Sequence, residues 1–533
     1  MVNEDVPKVR LRHEKMNSVD GSPTKGLAPL DAEKMDKLQD RMQEMRKTVV
    51  EDLDAMMSEV RELKLAASGM QSSGANGTED NRTTRRNGKL QDKVFVARNS
   101  YLTDLFEISH FRTIYNIFIV MLMILFLNTA VHDFIETGTT HVGIGTIIRS
   151  FGNFSTTILI WILMTISTFV TYLGFSMWAH KREEFSPKSF KLKAWDYLFL
   201  IAHAAQQLAF ITIPAKFLID IQHPPASSLL ILMEQVRMLM KTYAFVRSTA
   251  PRILVQKAKD EDNKRVVCPG FSKFLYFLFA PTLVYRDEYP RTKEIKWKVV
   301  LTNFVEVLLV VFYVAFMFER FIIPPFDKFG SKILEPHAVV LTIFSLMLPG
   351  LIMFLFGFYT VLHTWQNCMA ELLRFSDRLF YKDWWNCTSY DAYYRTWNII
   401  VHDWLYAYIY KDVYETLHNK VIATFTVFLV SAAFHEYILA FTFQFFYPVM
   451  MLMFGGFGML FVFITKNYSK MDGNIFIWFG LFAGNGILFS LYSMEYYARG
   501  HCLPYEDPLF DLLLPRSWAC RPSELNASAA AVS

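Results

Sequence analysis

The stretch Val421–Phe443, VIATFTVFLVSAAFHEYILAFTF, constrains this chain more than any other. About 20 mostly apolar residues suffice to cross a bilayer as a helix, and this run meets that length. Yet it carries His435 and Glu436 in its interior. At roughly 1.5 Å per residue, His435 lies about 21 Å from the Val421 end. Ionisable groups at such depth are costly, rare and candidates for function by default. The competing reading is a histidine that bonds to a neighbouring helix and holds it in place. A paired-histidine zinc motif is excluded, because Leu439 stands four residues after His435. No metal site is expected.

Other long uncharged runs accompany this one, and 49 phenylalanines fill them. The fold class expected is all-α, a polytopic membrane protein. Met1–Asp20 is polar and charged, so no cleavable signal peptide is read there. Runs near 114–131, 154–178, 196–214, 299–318, 337–362, 421–443, 447–464 and 474–492 read as clear spans. A further run, 228–246, joins Leu229–Met233 to Glu234, Arg237 and Lys241, and hydropathy alone leaves it doubtful. Loop charge argues for counting it. Arg85, Arg86, Lys89, Lys93 and Arg98 make the N-terminal side cytosolic. With about nine spans, the loops bearing Lys181 to Lys193, Lys257 to Arg265, and Lys466 with Lys470 share that side. The loop 132–153, with only Arg149, lies opposite. An odd number also places the C-terminal segment, 501–533, in the lumen, where Cys502 and Cys520 can oxidise. With eight spans they would face the reducing cytosol. The net charge of +4 is unevenly placed, and no nucleic-acid partner is expected. No internal repeat is visible, which weighs against a secondary transporter.

Ahead of the membrane region, residues 1–29 read as disordered. In 30–65, Met35, Leu38, Met42, Met45 and Val49 follow a 3-4 spacing that Leu53, Met56, Val60 and Leu63 continue. That pattern fits a cytosolic oligomerisation helix, dimeric or tetrameric, or an amphipathic helix lying on the membrane. Residues 66–92 read as a flexible linker and 93–113 as an interfacial helix, with 114–500 the transmembrane domain. His110, at the end of that interfacial stretch, reads as a polar interface residue.

The segment 363–420 is dense in Trp, Tyr and charge. It suits the headgroup level of a bilayer, or else the mouth of a site for an amphipathic anionic substrate. In the second reading Arg395, His402 and Lys420 meet phosphates.

Within this segment Phe380–Asn386, FYKDWWN, matches the FYxDWWN motif of the membrane-bound O-acyltransferases that esterify sterols and diacylglycerol. Tyr276–Thr292, Tyr394–Leu405 and His435-Glu436-Tyr437 extend the resemblance, which covers about 110–521. Asp383, His402-Asp403-Trp404 and Pro515-Arg516-Ser517-Trp518 with Cys520 resemble the sterol branch more than the diacylglycerol branch. The resemblance implies an endoplasmic-reticulum enzyme that transfers a fatty acyl group from acyl-CoA to cholesterol or another sterol. It needs no cofactor, since acyl-CoA is a substrate. It implies His435 as catalytic base and Asn398 as its partner. It places acyl-CoA contacts at Arg395, Asn398, His402, Tyr410, Lys420 and Ser431, and a sterol contact at His110. The motif residues Phe380, Tyr381, Asp383, Trp384, Trp385 and Asn386 either touch CoA or form a structural knot under the Asn398 loop. Ala392, at the CoA mouth, departs from the polar residue usual in the sterol branch.

The implied chemistry suits the residues. A neutral histidine in an apolar site can take the proton of an attacking alcohol. An asparagine amide can donate to the oxyanion that develops on the thioester carbonyl. The alternative readings are an acyltransferase for diacylglycerol or a long-chain alcohol, and a transporter using His435, Glu436 and Asn398 as a polar relay.

Overall fold

A computed structural model describes residues 92–140, 142–186, 189–256, 268–326, 336–467, 470–518 and Cys520. The segments 1–29 and 30–65, nearly all of 66–92, and the tail beyond Cys520 lie outside the described residues.

In lipid a backbone must satisfy its own N–H and C=O groups, so apolar runs of this length fold as helices. Long helices dominate the described residues: α1 (Ser109–Thr137), α2 (Phe154–Glu184), α3 (Phe190–Asp220), α4 (Pro225–Gln256), α5 (Trp297–Met317), α6 (Pro336–Phe358), α7 (Lys420–Phe443) and α8 (Lys470–His501). Among the described residues, seven stretches are long and apolar enough to cross a membrane. They are α1, α2, α3, α5 extended to Phe326, α6 extended to Leu372, α7, and Met471–His501 of α8. The chain is an all-α polytopic membrane protein.

The other two expected spans take a different form. The run 447–464 yields the shorter apolar helix Met451–Ile464, whose first part, Met451–Gly458, is π-helical. The run 228–246 lies inside α4, which has the length but carries more charge than an apolar span. Those charges have specific partners. Lys241 donates to the carbonyls of Phe277 and, at 2.6 Å, Ala280. Arg237 donates to the carbonyl of Leu278 at 2.6 Å and pairs with Glu234. The helix Phe271–Phe279 thus ends on the Lys241 and Arg237 side chains, whose N–H groups satisfy carbonyls that a helix C-terminus leaves open. Residues that break the hydropathy pattern are the ones that dock this helix.

α6 packs extensively on α8, and α4 holds both α2 and α7. Glycines permit the closest approach. A Cβ on Gly480 would lie 2.0 Å from the Tyr390 hydroxyl, and one on Gly486 would meet the Ile343 carbonyl at 2.8 Å.

The stretch 93–113, read as an interfacial helix, is helical only in Tyr101–Leu105 and from Ser109 onward. Residues 92–97 run without helix and Arg98 forms a bridge with Asp377. Side-chain chemistry explains the difference. Arg98 pairs with the buried Asp377, Lys93 pairs with Asp403, and Phe95 sits between Tyr289 and Phe375. An extended chain can reach these partners on both sides of itself, whereas a helix aims its residues at one face.

Candidate active site

α7 begins on a cap. The Asn419 side chain accepts the N–H groups of Val421 and Ile422 at 2.9 and 3.2 Å. His435 follows 15 positions after Lys420, about 22 Å along the axis. The residue is accessible, although many protein atoms surround it. Nδ1 bonds to the Ser431 carbonyl at 2.7 Å. A carbonyl only accepts, so in the neutral ring Nδ1 carries the proton and Nε2 is left with a free lone pair. That is the arrangement a general base requires.

The two residues after His435 hold α7 on either side. Glu436, only 3% exposed, accepts the Met451 N–H at 3.0 Å and the Tyr492 hydroxyl at 3.0 Å. It ties α7 to the π-helical turn and to α8. Tyr437 donates to the Ile211 carbonyl and also bonds to Gln235, both at 2.8 Å. Gln235 in turn donates to the carbonyls of Phe210 and Ile211. Pro214 within α3 has no N–H to offer the carbonyl four residues back, that of Phe210. Gln235 replaces that donor, and Tyr437 shares the same polar group.

Asn398 stands between the helices Tyr390–Trp397 and Ile399–Leu405. Its Oδ1 accepts the Val401 N–H at 3.2 Å, capping the second helix. Its Nδ2 group remains available to donate. The backbone on both sides of Asn398 is clamped by the FYKDWWN stretch. Ile399 donates to the Phe380 carbonyl and Lys382 donates to the Thr396 carbonyl, each at 2.9 Å. Phe380, Tyr381 and Trp384 are buried. Tyr381 bonds to His363 at 2.6 Å, while Trp384 packs among Phe358, Trp397 and Trp478. Asn474 on α8 donates to the carbonyls of Trp385 and Cys387 at 2.9 Å. Asp383 is half-buried and Asn386 exposed. Backbone bonds and buried rings of the motif thus brace the segment that carries Asn398.

One ring joins this loop to His435. Phe454 stacks on His435 with centroids 5.3 Å apart, and meets Tyr394 edge-on at 5.2 Å. Tyr394 lies one helical turn before Asn398, and its hydroxyl occupies the space where a Cβ on Gly458 would sit, 2.4 Å away. Sequence reasoning passed over Phe454, because one phenylalanine in an apolar run carries no signal. It also missed the buried His363, which falls one residue past the expected end of the 337–362 span. A histidine at the edge of a span was the available clue.

The residues that the resemblance assigns to acyl-CoA lie on the successive helices from Tyr390 through α7. His402, Tyr406, Tyr410 and Tyr414 form a ladder of near-parallel rings, with centroid spacings of 6.4, 5.6 and 6.1 Å. Arg395 is exposed and pairs with Asp391. Lys420 is exposed at the first position of α7. Ser431 contributes its carbonyl to His435. Asp403, beside His402, is pushed up by burial, but the His402 imidazole and the Lys93 ammonium outweigh this and hold its carboxyl below the usual range. His110 stands apart, exposed on the first turn of α1, with no hydrogen bond or ring contact to this group.

At the far end of α8, Cys502 and Cys520 form a disulfide, with Cα atoms 5.3 Å apart.

Residues 144–494 match the model of the membrane-bound O-acyltransferase family. The chain is also similar to Sterol O-acyltransferase 1 of Mus musculus, 42% identical over 436 residues, which is 81% of this chain and 80% of that protein. It is 40% identical over 437 residues to Sterol O-acyltransferase 2 of Mus musculus and 39% over 434 residues to that of Homo sapiens. Each alignment covers 81% of both chains.

Proposed function

The chain belongs to the membrane-bound O-acyltransferase family, and from that premise we propose that it esterifies a sterol with a fatty acyl group taken from acyl-CoA. The similarity to sterol O-acyltransferases over four-fifths of the chain supports the acceptor. The observation that carries the mechanism is the His435 Nδ1 bond to the Ser431 carbonyl, which leaves Nε2 free at the accessible side of α7.

In this reading Nε2 of His435 removes the proton of the sterol hydroxyl as its oxygen attacks the thioester carbonyl. The Asn398 amide donates to the oxyanion that forms. The tetrahedral intermediate then collapses, the carbon–sulfur bond breaks, and the proton on His435 passes to the departing CoA thiolate. Base and proton donor are the same imidazole, so no net proton is gained or lost. No acyl-enzyme is needed.

The ring ladder and Arg395 with Lys420 fit the CoA moiety, whose charged head stays at the mouth while the thioester reaches about 22 Å inward. The sterol enters from the bilayer between helices. His110 as a sterol contact belongs to this proposal on resemblance alone. The endoplasmic reticulum membrane belongs to it on the same ground, whereas a cytosolic N-terminus and a luminal C-terminus rest on loop charge, and a homo-oligomer through 30–65 on the 3-4 spacing there. α4 and Met451–Ile464 complete nine crossings.

Microsomes containing this chain, given labelled oleoyl-CoA with cholesterol and diacylglycerol together, test the acceptor. Cholesteryl ester as the main product is expected. Triacylglycerol instead would overturn the sterol reading and keep the mechanism.

A further inference from the structure

Beyond α8 the chain doubles back within the disulfide-closed stretch from Cys502 to Cys520, which contains the short helix Pro508–Leu513. This helix is inside out with respect to water. Its polar member Asp511 faces the protein, where it accepts from both ends of the Arg516 guanidinium and from the Tyr505 N–H. Leu509 (62% exposed) and Phe510 (56%) face outward, together with Leu512, Leu513 and Leu514. The back of the loop is pinned to α8. Glu495 accepts the N–H groups of Arg516 and Ser517 at 3.0 Å, and Arg499 donates to the Asp511 carbonyl at 2.7 Å. These contacts leave the apolar side chains no freedom to turn inward.

We propose that the loop 502–520 is a membrane anchor, whose Leu509, Phe510 and Leu512–Leu514 insert into the lipid leaflet at the C-terminal end of α8. Three observations favour lipid as the occupant. First, the patch continues an exposed surface of α8, a helix long and apolar enough to cross a membrane: Tyr496 is exposed near its end and Leu503 just after it. Second, the loop sits at the height where α7 ends. Gln444 caps α7, and two residues later the Phe446 N–H donates to the Leu512 carbonyl at 3.2 Å. Third, the loop carries an aromatic of interfacial type. Trp518 keeps its ring exposed while its indole N–H donates to the Tyr447 hydroxyl at 2.8 Å, an apolar body with a polar tip. The charged Glu506 and Asp507 precede the helix and are exposed. This gives the loop a wet edge and a greasy face, as a segment lying in the interface plane requires.

The test places a photoreactive benzophenone amino acid at position 510, or at position 506 as comparison, in the full chain reconstituted in phosphatidylcholine nanodiscs. Both variants keep the native disulfide, and their ester-forming activity reports folding. Irradiation at 510 is expected to yield phospholipid adducts several-fold more abundant than at 506. Equal adduct yields at the two positions, in active protein, would overturn the proposal. So would a cross-link at 510 predominantly to a second copy of the chain. A second arm replaces both Phe510 and Leu513 with Ser. The variant is expected to fold, with its disulfide closed and the loop more open to protease in nanodiscs. Unchanged protection there would equally count against insertion.

Discussion

The imidazole of His435 lies 5.3 Å from the ring of Phe454, their planes inclined by 28°. Phe454 belongs to a π-helical turn whose first N–H, that of Met451, is accepted by Glu436, the next residue after the histidine. The residue beside the proposed base therefore places the ring against which that base rests. π-helical turns often mark functional positions, and here the turn faces the histidine.

Phe454→Leu keeps the bulk and removes the ring. An aromatic pair contributes about 0.5–1.5 kcal/mol, so turnover should fall roughly two- to thirteenfold. The KM for acyl-CoA should move little, because Phe454 touches His435 and Tyr394 and not the ring ladder. Steady-state kinetics in nanodiscs check this, and unchanged turnover would remove Phe454 from the positioning chain.

Asn398 caps a helix, and in the proposed mechanism it also donates to the oxyanion. Asn398→Asp keeps the Oδ1 that caps the Ile399–Leu405 helix and removes the Nδ2 donor. Losing one oxyanion donor costs about a hundred- to a thousandfold in kcat. Thermal stability should stay close to that of the unaltered protein. An active Asp variant would reduce Asn398 to a helix cap.

Gly480→Ala should destabilise without touching the chemistry. Its Cβ would stand 2.0 Å from the Tyr390 hydroxyl. Overpacking of this kind costs about 1–3 kcal/mol. A thermal melt in detergent should show the loss. An unshifted melt would mean that Tyr390 has room to retreat.

The Lys93–Asp403 pair bears on pH. Burial raises the Asp403 pKa, but His402 and Lys93 bring it below the ordinary value. A carboxyl depressed on folding contributes stability above its unfolded pKa of about 4, and that contribution disappears as pH falls through the lower folded value. Between pH 8 and 5 the pair should therefore remain intact and the KM for acyl-CoA should not vary on its account. Lys93→Met should raise that KM a few-fold and leave the sterol dependence alone. An equal effect on both substrates would place the pair elsewhere in the mechanism.

Much of this arrangement was legible in the residues. Long apolar runs fix the spanning helices, because lipid offers the backbone no other partner. His435 stood out through its depth, and FYKDWWN through its resemblance to a family motif. α4 was harder, since Glu234, Arg237 and Lys241 have partners on another helix that hydropathy along one segment cannot register. The extended course of 92–97 was missed for a similar reason. Its fold is set by Asp377 and Asp403, about 280 and 310 positions away. Phe454 was illegible as a site residue because its role comes from the Glu436 bond, a tertiary fact.

The most direct test of the account replaces His435 with Gln and follows ester formation from labelled oleoyl-CoA and cholesterol in nanodiscs. Acyl-CoA binding is measured separately on the same protein. Loss of a general base predicts a fall in turnover of about a hundred- to ten-thousandfold, with acyl-CoA affinity retained and the protein folded. Turnover near that of the unaltered chain would contradict the assignment of His435 as the base.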